Sequence, residues 1–286
     1  MRAIRSTGPS APQPFILSSS KEAAGEHRTG PLRQGSAQAS TGLRTGLFVT
    51  GTDTGVGKTL ITAGLAAALR ARGIDVGVMK PIETGCSARR GRLLPLDALM
   101  LREASGACDN LDLINPYRFR EALAPMVAAE RSGRRIKLEV LAKSFGRLAC
   151  RHSAILVEGA GGLLVPITEE ASFLDLSARL RLPLLVVIGS RLGALNHAML
   201  TVEAALHARV PVVGAILNHP CADRSPVHRT NLSALSRLLP VPVLGEIPHL
   251  SDVSSQPRWR HPRLHRILTQ CLPRLLPDII ERSGAC

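Results

Sequence analysis

The stretch Gly51-Thr52-Asp53-Thr54-Gly55-Val56-Gly57-Lys58-Thr59 holds the residue types that bind a phosphate ester. Glycine lets a backbone approach an anion closely, so that successive N–H groups converge on it. A helix opening at Lys58 would aim its N-terminus at the same charge. On this reading Gly55, Val56, Gly57 and Leu60 contribute main-chain contacts. Lys58 reaches the β- and γ-phosphates, and the Thr59 hydroxyl ligates magnesium. The strict GxxxxGK[ST] spacing requires glycine where Thr52 stands, so the loop is a variant of the pattern.

Other charged and glycine-rich positions stand at the ends of short apolar runs. Lys80 precedes Pro81, which restricts it to extended backbone and makes it a fixed cation beside a γ-phosphate. Its plain alternative is a solvated lysine at a strand end. Glu158 ends Ile155-Leu-Val-Glu158. There an acid can hold magnesium, although a turn or cap acid would look the same. Asp97 lies in Leu94-Pro-Leu-Asp97, where an acid in a helix's first turn also suits the helix dipole. The remaining strand ends are Gly159-Ala160-Gly161, Gly193 to Asn196-His197, Asn218-His219, and Ile247-Pro248-His249.

The elements that would position these groups are legible from periodicity. Apolar runs Gly46–Thr50, Val76–Lys80, Ala154–Glu158, Leu184–Gly189, Val212–Asn218 and Val243–Ile247 read as strands. Between them Lys58–Arg72, Leu138–Arg151, Leu174–Leu182, His197–Arg209 and Asn231–Leu239 carry apolar residues at helical spacing. Continuous apolar strands joined by helices predict a doubly wound α/β domain. Its sheet is mostly parallel with helices on both faces, of the P-loop NTPase type. In such sheets ligands bind outside the carboxyl ends of the strands, which is where the charges fall.

The formal net charge is +14, but more than half of the excess lies in residues 1–44 and 253–286. One Trp, one Tyr and five Phe leave little to stack on bases, so nucleic-acid binding is not expected. No apolar run approaches the ~20 residues of a membrane span. The six cysteines show neither CxxC nor metal-ligand spacing, and read as reduced thiols of a cytoplasmic protein.

Taken together these segments resemble the dethiobiotin synthetase family over roughly residues 46–250. The resemblance rests on the phosphate loop, Lys80-Pro with Thr84-Gly85, Asp97-Ala98, Asn115-Pro-Tyr117 and Glu158-Gly-Ala-Gly-Gly162. It continues through Gly193, Asn196-His197-Ala198, Asn218 and Gly245-Glu-Ile-Pro248. It implies a homodimer that uses ATP and magnesium to carboxylate 7,8-diaminononanoate with carbon dioxide and close a ureido ring. Lys58 and Lys80 would act in catalysis, while Thr59, Asp97 and Glu158 would hold magnesium. Thr84 would contact the diamine carbamate, and Gly193 and Asn196 the substrate carboxylate from the partner subunit. Asn218, His219 and Ile247–His249 would meet adenine, although His219 stands where some members carry an acid. The segments around Tyr117 and Met126 would line the substrate side.

Two other readings stay open on sequence alone: the synthetase part of a cobalamin-pathway amidase, and a partition-type regulatory ATPase. The latter is disfavoured by Asp53, which stands where those ATPases place a second lysine.

Residues 1–44 have no periodic apolar pattern and read as a disordered or non-native extension, ahead of a synthetase domain at 45–250. Residues 251–286 read as a basic tail with helical pieces. A chain starting at about Thr45 is therefore expected to fold and keep its activity, which a truncated variant assayed at saturating substrate checks.

Overall fold

The computed structural model describes residues 45–222, 225–251 and 257–277; the predicted extension at 1–44 lies outside them. Strand β1 (Thr45–Gly51) leads through the phosphate loop into α1 (Lys58–Arg70) and β2 (Val76–Met79). A region of short elements follows: β3 (Ile82–Glu83), the hairpin β4 (Ser87–Arg89) and β5 (Arg92–Leu94), then α2 (Leu96–Ser105), α3 (Leu111–Ile114), β6 (Tyr117–Arg118) and α4 (Pro125–Arg131). Regular alternation then resumes with α5 (Leu138–Ala149), β7 (Ala154–Gly162), α6 (Phe173–Leu180), β8 (Leu184–Gly189) and α7 (Ala194–His207). It ends with β9 (Val212–Asn218), α8 (Pro226–Leu238), β10 (Val243–Ile247), a 3-10 turn (Arg258–Arg260) and α9 (Pro262–Leu275).

Six strands form one sheet in the order β10-β9-β8-β1-β7-β2, and each neighbouring pair is parallel. Every residue of β8, Leu184 to Gly189, is buried, as a central strand covered on both faces must be. The register sets the carboxyl ends side by side. Val49 pairs with Glu158, Gly51 with Val187, and Asn218 with both Gly189 and Ile247. From β1 the chain first builds toward β2, then crosses to β8 on the other side, so the phosphate loop sits at the topological switch point.

All six predicted strands are present, with β7 extended to Gly162. Helix starts are less well matched: α7 begins at Ala194 and α8 at Pro226, both earlier than the periodicity placed them. Proline at the first turn of α8 explains one shift, since a ring that cannot donate there loses nothing. Among the described residues no helix is long and apolar enough to cross a membrane.

Packing does not stop at residue 250. Helix α9 buries Leu264, Leu268, Cys271, Leu272 and Leu275, and Trp259 before it is buried as well. The contact with α1 is made at Gly64, where an added Cβ would lie 2.5 Å from Leu268 Cδ1. The absent side chain is what lets the two helices approach. Leu268→Ala would leave a void at this seam, and the expected loss is about 2–5 kcal/mol. A urea-unfolding midpoint equal to that of the unsubstituted chain would contradict the packing role.

Candidate active site

The loop between β1 and α1 turns on Gly55 (φ 73°) and Gly57 (φ 98°), both in left-handed backbone that a side chain would strain. Gly57 is also the N-cap of α1, and no side chain caps that helix. Its first N–H groups are thus left for an anion. A Cβ on Gly57 would collide with the Asn218 amide, whose Nδ2 donates to Val56 O at 2.8 Å. Lys58 is buried and its Nζ donates to Asp53 O at 2.9 Å. Burial first, and the Lys80 charge second, depress the Lys58 ammonium to about 8. Asp53 pairs with Arg191, fastening the loop to the segment after β8. The hydrogen bond from Thr54 N, together with that arginine, holds the Asp53 carboxyl below its usual range.

Lys80 stands beyond β2 at 3% exposure, with its main chain held from both sides. Its N–H donates to Ile114 O at 2.8 Å, and its carbonyl accepts from Asn115 Nδ2 at 2.7 Å. Its Nζ lies 2.5 Å from Glu158 Oε1, 3.0 Å from Asp97 Oδ2 and 3.2 Å from Gly159 O. Burial alone would depress the Lys80 ammonium, but the two carboxylates override it and hold its pKa above the ordinary lysine value. Burial also pushes Glu158 upward against the pull of Lys80. Two carboxylates facing one ammonium at these distances make the ion pair the governing state.

Glu158 is fully buried and accepts from Thr59 Oγ1 at 2.8 Å, while its Oε2 has no hydrogen-bond partner among the described residues. Thr59, Glu158 and Asp97 thus present a hydroxyl and carboxylates, one of them with an unused buried oxygen. That is the donor chemistry a hard divalent cation prefers, so these residues fit magnesium.

Two clefts meet at the phosphate loop and share Gly55, Gly57 and Thr59. The larger, about 680 Å³, is lined by Lys58, Lys80, Thr84, Asp97, Glu158, Ala160, Gly161 and the Ala122–Pro125 segment. The smaller, about 350 Å³, is lined by Leu60, Asn218, His219, Pro248 and His249.

Some expected residues do not line these two clefts. Ile247 is fully buried and reaches neither cleft; its carbonyl accepts from His219 N at 2.9 Å. Val56 is buried behind the loop. Gly193 and Asn196 are exposed at the start of α7 and line neither cleft. Tyr117 packs on Phe119 in the core, and its hydroxyl accepts from Lys137 N at 3.0 Å. From the segments around Tyr117 and Met126, the residues that line the cleft are those between them, Ala122 to Pro125. His219 bridges Glu246 at 2.7 Å and His228 at 2.8 Å, so a single proton must lie between the two facing Nδ1 atoms.

The sequence reading also missed several contributors. Met100, Pro257 and Arg258 line the smaller cleft, and Glu83 lines the larger one. No spacing in the sequence marks the first three. Glu83 could have been noticed, because it is an acid in an apolar strand end beside Lys80.

Phosphate loop, uncapped helix and paired acids at one sheet edge define a nucleotide-binding protein of the P-loop class. A family model described as an AAA domain matches residues 45–257. ATP-dependent dethiobiotin synthetase BioD of Anaeromyxobacter dehalogenans (strain 2CP-C) is 44% identical over 213 residues, covering 74% of this chain and 94% of that protein. The protein of the same name from Thermodesulfovibrio yellowstonii is 36% identical over 220 residues, covering 74% and 92%. Among solved structures, a putative plasmid partition protein of Borrelia burgdorferi B31 bound to AMPPNP aligns with a TM-score of 0.50 at 13% identity. It covers 83% of this chain and 98% of that one, a likeness of fold alone. The chain belongs to the ATP-dependent dethiobiotin synthetase family.

The depressed Lys58 ammonium gives a direct test of the phosphate loop. An adjacent polyphosphate raises the pKa of a lysine, so ATP binding at pH 8 should take up about half a proton, less toward pH 7. Calorimetry in two buffers of different ionisation enthalpy reads this uptake. A binding heat at pH 8 that does not depend on buffer would place Lys58 away from the phosphates.

Proposed function

We propose that this chain is a dethiobiotin synthetase that uses ATP to join 7,8-diaminononanoate and carbon dioxide into a ureido ring. The observation that carries the reading is the meeting of two clefts at one phosphate loop, both sharing Gly55, Gly57 and Thr59. One side suits a nucleotide base and the other a second small molecule, as phosphoryl transfer between two bound substrates requires. A nucleotide switch has no need of the second cleft. Family membership likewise favours ring closure over the amidase and partition readings.

Carbon dioxide and one amine give a carbamate, the carbamate oxygen takes the γ-phosphoryl of ATP, and ADP leaves. The second amine then attacks the carbamoyl carbon, phosphate departs, and the ring closes. Lys58 holds the β- and γ-phosphates together with the backbone donors of Gly55, Gly57 and the helix start. Lys80, between the acids and the cleft, neutralises charge that grows on the transferring phosphoryl and the carbamate. Thr84 orients the carbamate. Thr59, Asp97 and Glu158 hold magnesium, which supplies positive charge to the phosphate oxygens. Asn218, Pro248 and His249 frame the adenine.

The substrate carboxylate is taken by Gly193 and Asn196 of the partner in a homodimer, which accounts for their exposure on the isolated chain. Leu192 and Leu200, beside them, are 85% and 61% exposed, as apolar side chains awaiting a partner surface would be. The enzyme works in the cytoplasm.

ATP hydrolysis is expected to depend on the diamine plus bicarbonate and to ignore DNA. Stimulation by DNA in the absence of diamine would sink the reading. Within it, Lys80→Gln should lower the single-turnover rate by roughly 10²–10³ while leaving nucleotide affinity nearly unchanged. Lys58→Ala should lose affinity as well. Equal losses of affinity and rate in Lys80→Gln would make Lys80 a ground-state anchor.

A further inference from the structure

Helix α2 begins after Pro95, whose position as N-cap offers no side-chain acceptor to the helix. Its second and third N–H groups are nevertheless satisfied, and the acceptor comes from outside the helix. Glu83 Oε1 accepts from Asp97 N at 3.0 Å, and Glu83 Oε2 accepts from Ala98 N at 3.0 Å. Glu83 is itself buried and fixed in place. It pairs with Arg118 in the β3–β6 ladder, and its carbonyl accepts from Phe119 N at 2.8 Å. It follows Lys80 by three residues, so one short rigid segment presents both the ammonium and the clamp on α2.

We infer that Glu83 is a positioning residue for Asp97: by gripping the first turn of α2 it sets where the Asp97 carboxylate stands relative to Lys80, Thr59 and Glu158. A carboxylate on a backbone N–H pair at a helix start is a strong, directional contact. Without it the first turn of α2 would rest only on Pro95 and the side chains below. Asp97, half-exposed above the cleft, would then lose its fixed distance to Lys80. The role rests on Asp97 being a magnesium ligand, as proposed above.

The test uses the full chain and reads binding rather than turnover. Mn2+ stands in for magnesium and is counted by EPR with AMPPNP present. Nucleotide binding without metal is measured in EDTA, and folding by thermal unfolding. Glu83→Ala should weaken Mn2+ binding about 10–100-fold, the range for losing a group that orients a ligand. Metal-free nucleotide affinity should hold within about twofold. Glu83→Gln keeps the shape and one carbonyl acceptor, so it should fold even where the alanine variant does not, and lose at least about threefold. The decisive comparison is made in an Asp97→Asn background, where adding either Glu83 substitution should change Mn2+ affinity by less than about twofold. Multiplying losses there would mean that Glu83 acts independently of Asp97 and would overturn the inference. So would wild-type Mn2+ affinity in Glu83→Gln. None of these readings involves the diamine, so a wrong substrate assignment would leave them intact. A wild-type chain that takes up no Mn2+ would overturn the metal assignment and this role together.

Discussion

An ammonium at 3% exposure is tolerable only beside opposite charge, and Lys80 has it on two sides. The cost of stripping water from Lys80 and Glu158 is offset by their contact at 2.5 Å and by Asp97 at 3.0 Å. Much of the local architecture serves that arrangement. Glu158 must stand on a strand paired beside β1, opposite Val49, so that it faces Thr59. Asn115 and Ile114 must hold the Lys80 main chain. Remove either acid and the buried ammonium keeps one carboxylate where it had two; remove the lysine and the two carboxylates face each other with no cation between them. Lys80 therefore supplies the positive charge that these two carboxylates share.

The same logic separates the two lysines. Lys58 sits among backbone dipoles and an uncapped helix start, with a carbonyl as its one hydrogen-bond partner among the described residues, and burial drags its ammonium down to about 8. Lys80 sits among carboxylates and keeps its proton against the same burial. One rests on a single carbonyl; the other is held between two carboxylates.

How much of this could be read from the sequence depended on whether the signal was local. The six sheet strands were legible because buried parallel strands are continuous apolar runs, and the phosphate loop because its glycines and Lys58-Thr59 are contiguous. Helix α2 was glimpsed only as an acid in a first turn, since Pro95 and Glu83, which define its start, are twelve residues apart in the chain and meet only in space. The segment from Ala122 to Pro125 carries no charge or periodicity, so only the resemblance put the pieces around Tyr117 and Met126 on the substrate side, without saying which residues face the cleft. Helix α9 was legible as apolar spacing in pieces that could pack on the sheet, but its seam with α1 was not. Its partner at Gly64 lies two hundred residues earlier, and glycine announces only freedom, not a neighbour.

That helix carries a consequence for how the protein comes into being. Pro257 and Arg258, in the wall of the smaller cleft, lead into Trp259 and α9, which settle against α1. A chain emerging from the ribosome presents the phosphate loop first and this wall last. Through most of synthesis the growing polypeptide therefore holds the loop residues without Arg191 and Asn218, which fasten the loop, or the last wall of the smaller cleft. The smaller cleft is complete only when the final helix docks, so its closure marks completion of the domain rather than an early step of folding.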